Sequence, residues 1–365
     1  MCMVSNTQEF RIAIVPGDGI GHEIMDACLA VLRALERKHG LNFHCSDVEA
    51  GAEYYARSGT DITDEDFTAL GNADAILFGA IGHPDIRWPD GTEIAPHLRM
   101  RKEYGLIAGL RPVKAFPGLP IPLKDPRAQE IDIVIIREST EGLFASLGKG
   151  TIEGDRIAKE TLVITRDVCE PLFDEAFRLA RQRKSKGGPG RVTCVDKSNV
   201  FTAMAFFRKI FDERAALNAD ITADYSYVDA AALDLVRKPW EFDVMVMENM
   251  FGDILSDLGA GIVGGMGFAP CAELGPDHGL FQPAHGTAPD IAGQDKANPT
   301  AMLFSAKMML DWLGERHDVQ ACHDAADDLT STIEDLFAAG DVVPMELGGT
   351  DGTTSYANKV LTKLG

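Results

Sequence analysis

The chain has 365 residues, 45% hydrophobic and 25% charged, an ordinary composition for a soluble globular protein long enough for about two domains. Its formal net charge of −21 excludes a nucleic-acid surface, which needs clustered Lys and Arg, and means that an anionic substrate must be received by locally placed arginines. Seven scattered cysteines (Cys2, Cys28, Cys45, Cys169, Cys194, Cys271, Cys322) without a CxxC read as reduced thiols in a cytoplasm. The start, MCMVSNTQEFR, shows no basic stretch leading into an apolar run, and no run approaches the ~20 residues of a membrane span, so neither export nor a membrane is expected.

In chain order, residues 10–15 form a β-type run closed by PGDGIG at 16–21. Residues 22–37 then space Ile24, Ala27, Cys28, Val31, Leu32 and Leu35 as one face of a helix. Strand, glycine turn and helix invite a Rossmann reading. Against it, the glycines run GDGIG rather than GxGxxG, and no acidic residue ends a clear second strand about 20 residues on. ADAILF at 73–78, LIAGLRPV at 106–113 and IDIVIIR at 131–137 are further strands, the last two joined by a Pro-rich loop, FPGLPIPLKDP. Residues 150–166 read as two extended runs, a hairpin arm. Residues 171–184 form an amphipathic helix, and KSKGGPG at 184–190 a surface loop. RVTCVD at 191–196 is a strand leading into Lys197-Ser198-Asn199. A short strand at 225–229 ends on Asp229 before a helix over 230–236, and 299–313 is an apolar helix. Strands alternating with helices predict an α/β fold.

The chemistry concentrates in MENMFGDILSDL at 247–258. Asp253 and Asp257 stand four apart on a helical face, after a turn at Gly252, and two like charges at that spacing repel. A divalent cation reverses that repulsion, and an all-oxygen pair suits Mg²⁺ or Mn²⁺. An arbitrary DxxxD pair is a solvated helix face by roughly ten to one. Here Met245, Val246 and Met247 precede it, so the pair follows a buried strand, where open α/β folds bind ligands. Arg101, Arg111 and Arg137 each lie on or near a strand and suit carboxylates, while helical geometry turns Arg99 to the surface. Lys197 and Asp229 each follow a strand. Lys197 reads equally as a proton-transfer group or as an exposed lysine at a helix start. HGTAPDIAGQDKANP at 285–299 is an ordered loop in which Asp290 suits a ribose diol.

PGDGIG, LRMRKEYGLIAGLRPVK (98–114), IRESTEG (136–142), VDKSNV (195–200), YVDA (227–230), ENMFGDILSDL (248–258) and HGTAPDIAGQDKANPT (285–300) together resemble the β-decarboxylating dehydrogenases. That family acts on isopropylmalate, isocitrate, homoisocitrate, tartrate and malate. The resemblance implies an isopropylmalate dehydrogenase-like, two-domain, non-Rossmann α/β subunit. Residues 1–111 plus 266–365 would form the large nucleotide-binding domain, and 112–265 the small domain with the dimer interface and arm. It implies a homodimer or higher oligomer with shared active sites. Arg101, Arg111 and Arg137 would grip the substrate carboxylates. Asp253 and Asp257 would hold Mg²⁺ or Mn²⁺ with Asp229 of the neighbour, and the neighbour's Lys197 would relay the hydroxyl proton. Asn199 would contact substrate and nicotinamide, with NAD held by Glu93, His285, Gly286, Asp290 and Asn298. The implied reaction is oxidative decarboxylation of a (2R)-hydroxy diacid, with 3-isopropylmalate the nearest guess. Tartrate/malate or homoisocitrate/isocitrate are the alternatives, as is a non-catalytic regulatory subunit. Two departures stand out: Phe144 occupies the usual place of a tyrosine, and the segment from Glu93 to Arg101 is one residue longer than the isopropylmalate pattern.

Overall fold

The structure is a computed structural model and describes residues 8–365; Cys2 and most of the starting segment lie outside it. In chain order its strands are β1 (Glu9–Gly17), β2 (Asn42–Asp47), β3 (Ala75–Ala80), β4 (Ala108–Lys114), β5 (Asp132–Glu138), β6 (Thr151–Glu153), β7 (Ile157–Lys159), β8 (Arg191–Asp196), β9 (Thr222–Tyr227), β10 (Val244–Met247), β11 (Pro270–Leu274) and β12 (Gly279–Pro283). The helices are α1 (Gly21–His39), α2 (Ala52–Ser58), α3 (Asp64–Gly71), α4 (Pro96–Glu103), α5 (Arg166–Ser185), α6 (Thr202–Ala216), α7 (Val228–Arg237), α8 (Asn249–Val263), α9 (Thr300–His317), α10 (Gln320–Ala338) and α11 (Thr353–Leu364).

Ten strands make one sheet in the order β2-β1-β3-β12-β11-β4-β5-β10-β8-β9. The block β2-β1-β3-β12 is parallel, as is β5-β10-β8-β9, and the two are joined by antiparallel pairing through β11 and β4. Such near-continuous apolar strands are what a sheet covered on both faces requires. One face is packed by α1, α5, α6 and α9–α11 around residues such as Ile24, Phe173, Phe211, Met309 and Tyr356. On the other face Phe67 and Met100 (α3, α4) cover one block, and Ala231, Leu235 and Leu255 (α7, α8) cover the other. The antiparallel centre is left between α4 and α8 on that second face.

Several expectations need correction in detail. β2 does exist, pairs in parallel with β1 and ends on the acidic Asp47. Its sequence NFHCSD lies exposed or half-buried at the sheet edge and so carries little apolar signal. The mixed strand order nevertheless differs from a Rossmann sheet. Gly252 makes no turn but sits inside α8, where a Cβ would lie 2.6 Å from the Arg137 Cβ; its role is close packing. Asp229 lies in the first turn of α7, beyond the end of β9 at Tyr227. α5 begins at Arg166 and carries Pro171 within it. The extended runs at 150–166 do pair, as the exposed antiparallel hairpin β6–β7. No helix of the described residues is long and apolar enough to cross a membrane.

Candidate active site

Cross-strand register builds the floor. Gly109 of β4 lies between Glu273 of β11 and Arg137 of β5. Side chains alternate faces along a strand, so Arg111, two residues on, shares that face. A Cβ at Gly109 would lie 2.7 Å from the Ser139 Oγ and 2.9 Å from the Glu273 Oε2, so only glycine fits there. Over this floor α4 delivers Arg101, and α8 delivers Asn249, Asp253, Ser256 and Asp257.

Glu273 is the keystone. It is completely buried and accepts from Arg101 Nη2 at 2.6 Å, with Arg111 Nη2 at 3.6 Å. Burial alone would raise its pKa, but Arg101, Arg111 and Arg137 outweigh that and hold the carboxyl below its usual range. Arg137 donates through Nε and Nη2 to Asn249 Oδ1 at 3.0 and 2.7 Å, and through Nη1 to Asp253. Its pKa is pushed down to about 10, by burial first and then by the other two guanidiniums. Three buried guanidiniums against one fully buried carboxylate leave this cradle electropositive. Buried Arg101 Nε, Arg111 Nε and Asn249 Nδ2 have no hydrogen-bond partner among the described residues. Unpaired buried donors at a charged site call for an anionic oxygen ligand.

Asp253 and Asp257 follow on α8. Asp257 is exposed, and its pKa is raised by partial burial and then by the neighbouring Asp253 carboxylate. Glu248 caps this helix, accepting from Phe251 N and Met250 N. Among the described residues no three His, Cys, Asp or Glu side chains gather as a metal site. Asp253 and Asp257 nonetheless fit a hard divalent cation: two carboxylates on one helix face, one of them disfavoured as an anion by the other.

Lys197 and Asp229 bond each other, and the lysine holds the Asp229 carboxyl below its usual pKa. No hydrogen bond or ion pair among the described residues ties this pair to the cradle. Asn199 is exposed beside it, followed by exposed Val200 and Phe201. Phe144 sits in a short 3-10 turn, with the Arg137 guanidinium carbon 5.4 Å from its ring.

The loop at 285–299 meets PGDGIG directly, since Ile20 N donates to Thr287 O at 2.9 Å. Glu23 of α1 accepts from Gly293 N and Ala297 N. Asn298 donates to Glu346 at 2.9 Å and accepts from Thr300 N and Oγ1, pinning the loop to α9. The His285 Nε2 is buried without a partner among the described residues, and burial lowers that imidazole's pKa. Gly286 and Asp290 are exposed, as is Glu93 near Gly82. Asp18, read above only as part of a turn, is fully buried and accepts from Ala52 N, Glu53 N and Gly82 N.

Sequence reasoning missed Glu273, Asn249 and Gly109. A lone acid inside the apolar strand PCAEL was a signal for the first, because an ionised group is fully buried only when paired.

The chain matches the isocitrate/isopropylmalate dehydrogenase family over residues 11–360. It belongs to that family. It is 42% identical over 355 residues to the 3-isopropylmalate/3-methylmalate dehydrogenase of Methanocaldococcus jannaschii, covering 97% of this chain and 98% of the other. It is 38% identical over 354 residues to the tartrate dehydrogenase/decarboxylase of Pseudomonas putida, covering 94% of each. The crystal structure of isocitrate dehydrogenase from Methylococcus capsulatus superposes with a TM-score of 0.85 at 32% identity, covering 97% of this chain and 99% of that one. The protein is an oxidoreductase acting on a CH–OH group with decarboxylation.

Proposed function

We propose that the chain catalyses NAD- and divalent-metal-dependent oxidative decarboxylation of a 3-substituted malate. The observation that carries this reading is the buried cradle of Arg101, Arg111 and Arg137, with its unpaired donors, beside Asp253 and Asp257. The guanidiniums bind and orient the carboxylates, which fixes the C2 hydroxyl near the two aspartates. Asp253 and Asp257 would hold Mg²⁺ or Mn²⁺, whose Lewis acidity favours hydroxyl deprotonation and CO₂ loss once bound. A nicotinamide supplies the hydride acceptor; the loop with His285, Gly286, Asp290 and Asn298, with Glu93 opposite, would hold NAD.

Lys197 takes the hydroxyl proton, with Asp229 keeping its ammonium in place. Because no hydrogen bond or ion pair among the described residues ties that pair to the cradle, we place Lys197, Asp229 and Asn199 at the site of a second copy, in a homodimer or larger assembly braced by the hairpin. The division into a large domain (1–111 plus 266–365) and a small one (112–265) belongs to the same proposal. So does a cytoplasmic location, which the six free cysteines of the described residues suit. Phe144 leaves the protonation of the product carbon to Lys197 or water. Most of the relatives' names favour 3-isopropylmalate, with tartrate/malate and homoisocitrate/isocitrate as alternatives. Purified protein with Mg²⁺ and NAD should form NADH from at least one 2-hydroxy diacid in a panel of these, and formation from none would defeat the reading.

A further inference from the structure

Asp196, the last residue of β8, is completely buried, and its two carboxylate oxygens serve different partners. Oδ1 accepts from Ser198 N at 2.8 Å, closing a turn around the backbone of Lys197. Lys197 O in turn accepts from Val200 N at 3.1 Å and Phe201 N at 3.2 Å, so the lysine's backbone is held from both sides. Oδ2 accepts from Arg208 Nε at 2.6 Å. Arg208 comes from α6, and its guanidinium carbon lies 4.2 Å from the ring centroid of Tyr225 and 5.8 Å from that of Tyr227. Both tyrosines belong to β9, where Tyr227 pairs in register with Asp196 and directly precedes α7. The Lys197 Nζ lies 5.9 Å from the same Tyr227 ring. One guanidinium therefore braces the two segments that carry Lys197 and Asp229.

The pair itself is one flexible lysine reaching a largely exposed carboxylate, a contact that fixes little on its own. Proton transfer needs more, since a misplacement of ~1 Å made far from the chemistry can cost ~10²-fold in rate. We propose that Arg208 is a positioning residue: through buried Asp196 and the rings of Tyr225 and Tyr227 it sets where the Lys197 ammonium stands for proton transfer. This rests on the role given to Lys197 above. Replacing a buried ion pair by apolar side chains is often neutral for stability or better, so the worth of Arg208–Asp196 lies in the one geometry it imposes. A guanidinium suits both tasks, donating in its plane to Asp196 and offering its face to an aromatic ring. A lysine can do only the first.

The test measures kcat and KM on the best 2-hydroxy diacid of the panel, at saturating NAD and Mg²⁺, for wild type, R208K, R208M, D196N/R208M and K197A. R208M should lower kcat by ~10²-fold with KM unchanged, because the arginine cradle is untouched, and R208K should recover part of that loss. Should R208M fail to fold with Asp196 stranded, D196N/R208M removes the stranded charge, keeps an amide oxygen for Ser198 N, and should show the same loss of kcat. A second measurement separates positioning from general damage. Each variant is co-expressed with a differently tagged R137A copy, and the hybrid assembly is purified through both tags. The R137A copy lacks a complete cradle but carries an intact Lys197 segment. Hybrids with R208M or D196N/R208M should therefore regain the wild-type kcat per intact cradle, as the K197A hybrid should. The proposal is overturned by a wild-type kcat in whichever of R208M and D196N/R208M folds, by a KM rise that accounts for the loss, or by hybrids that stay impaired where the K197A hybrid recovers. Full activity of K197A alone defeats the reading of Lys197 on which the proposal rests, whereas an inactive K197A beside fully active Arg208 variants defeats only the proposal. A K197A hybrid that does not recover defeats the sharing of sites between copies, and the split between kcat and KM in the unmixed variants then decides the role of Arg208.

Discussion

The arginine cradle and the Lys197–Asp229 pair are both ion-paired, and they are built in opposite ways. Arg101, Arg111, Arg137 and Glu273 lie on a sheet floor and a helix face, all at or below 6% exposure. Lys197 sits in the turn after β8 and Asp229 in the first turn of α7, with side chains 26% and 68% exposed. Buried charges must be arranged before the ligand arrives, because an unpaired one costs several kcal/mol. Exposed charges can wait for a partner, because water already satisfies them. On the proposed function, the cradle is a preorganised receptor, and the pair is a group held ready for the site of a second copy.

The sharpest way to break this comparison is one substitution on each side. Glu273→Ala strands two buried guanidiniums and should cost about 3–5 kcal/mol of stability, read by denaturant unfolding. Asp229→Asn should leave the unfolding midpoint unmoved yet reduce kcat by ~10²–10⁴, the usual worth of positioned proton transfer. If Asp229→Asn unfolded the chain, or Glu273→Ala did not weaken it, the division into receptor and waiting group would be wrong.

Metal removal comes next in size. Chelation should abolish turnover and Mg²⁺ or Mn²⁺ restore it, while Asp253→Asn should stay inactive at metal concentrations that saturate the wild type. The observation behind this is the Asp253/Asp257 pair, and full activity of Asp253→Asn in metal-free buffer would refute it. The smallest effect concerns Asp290. Exposed in its loop, it suits a free ribose diol and repels a 2′-phosphate, so NAD should be preferred over NADP by ~10-fold in kcat/KM. Equal values for the two nucleotides would remove Asp290 from the cofactor site.

The two regions also differ in how far they were legible. Strands such as ADAILF and IDIVIIR announced themselves because both faces of the sheet are covered. β2 did not, because an edge strand of half-exposed polar residues has no apolar period to read. The three arginines were visible as strand-linked guanidiniums, but Glu273, which holds two of them, is distant in sequence and only register brings it there. Gly252 and Gly109 show the same limit. Sequence suggests that a glycine turns the chain, whereas here each makes room for a charged neighbour. Nothing local in VDKSNV or YVDA foretold that Lys197 and Asp229 would meet each other, since one lies in the turn after β8 and the other in the first turn of α7, after β9.

The central claim is that this site both oxidises and decarboxylates, with Phe144 beside Arg137 and no tyrosine at that place to protonate the product carbon. General acid help is worth ~10²–10⁴ in rate, so protonation through Lys197 or water should slow that step without stopping it. The direct test follows NADH and CO₂ together on the best substrate of the panel. The account predicts one CO₂ released in step with each NADH. NADH formed without CO₂, and a β-keto acid accumulating, would contradict it.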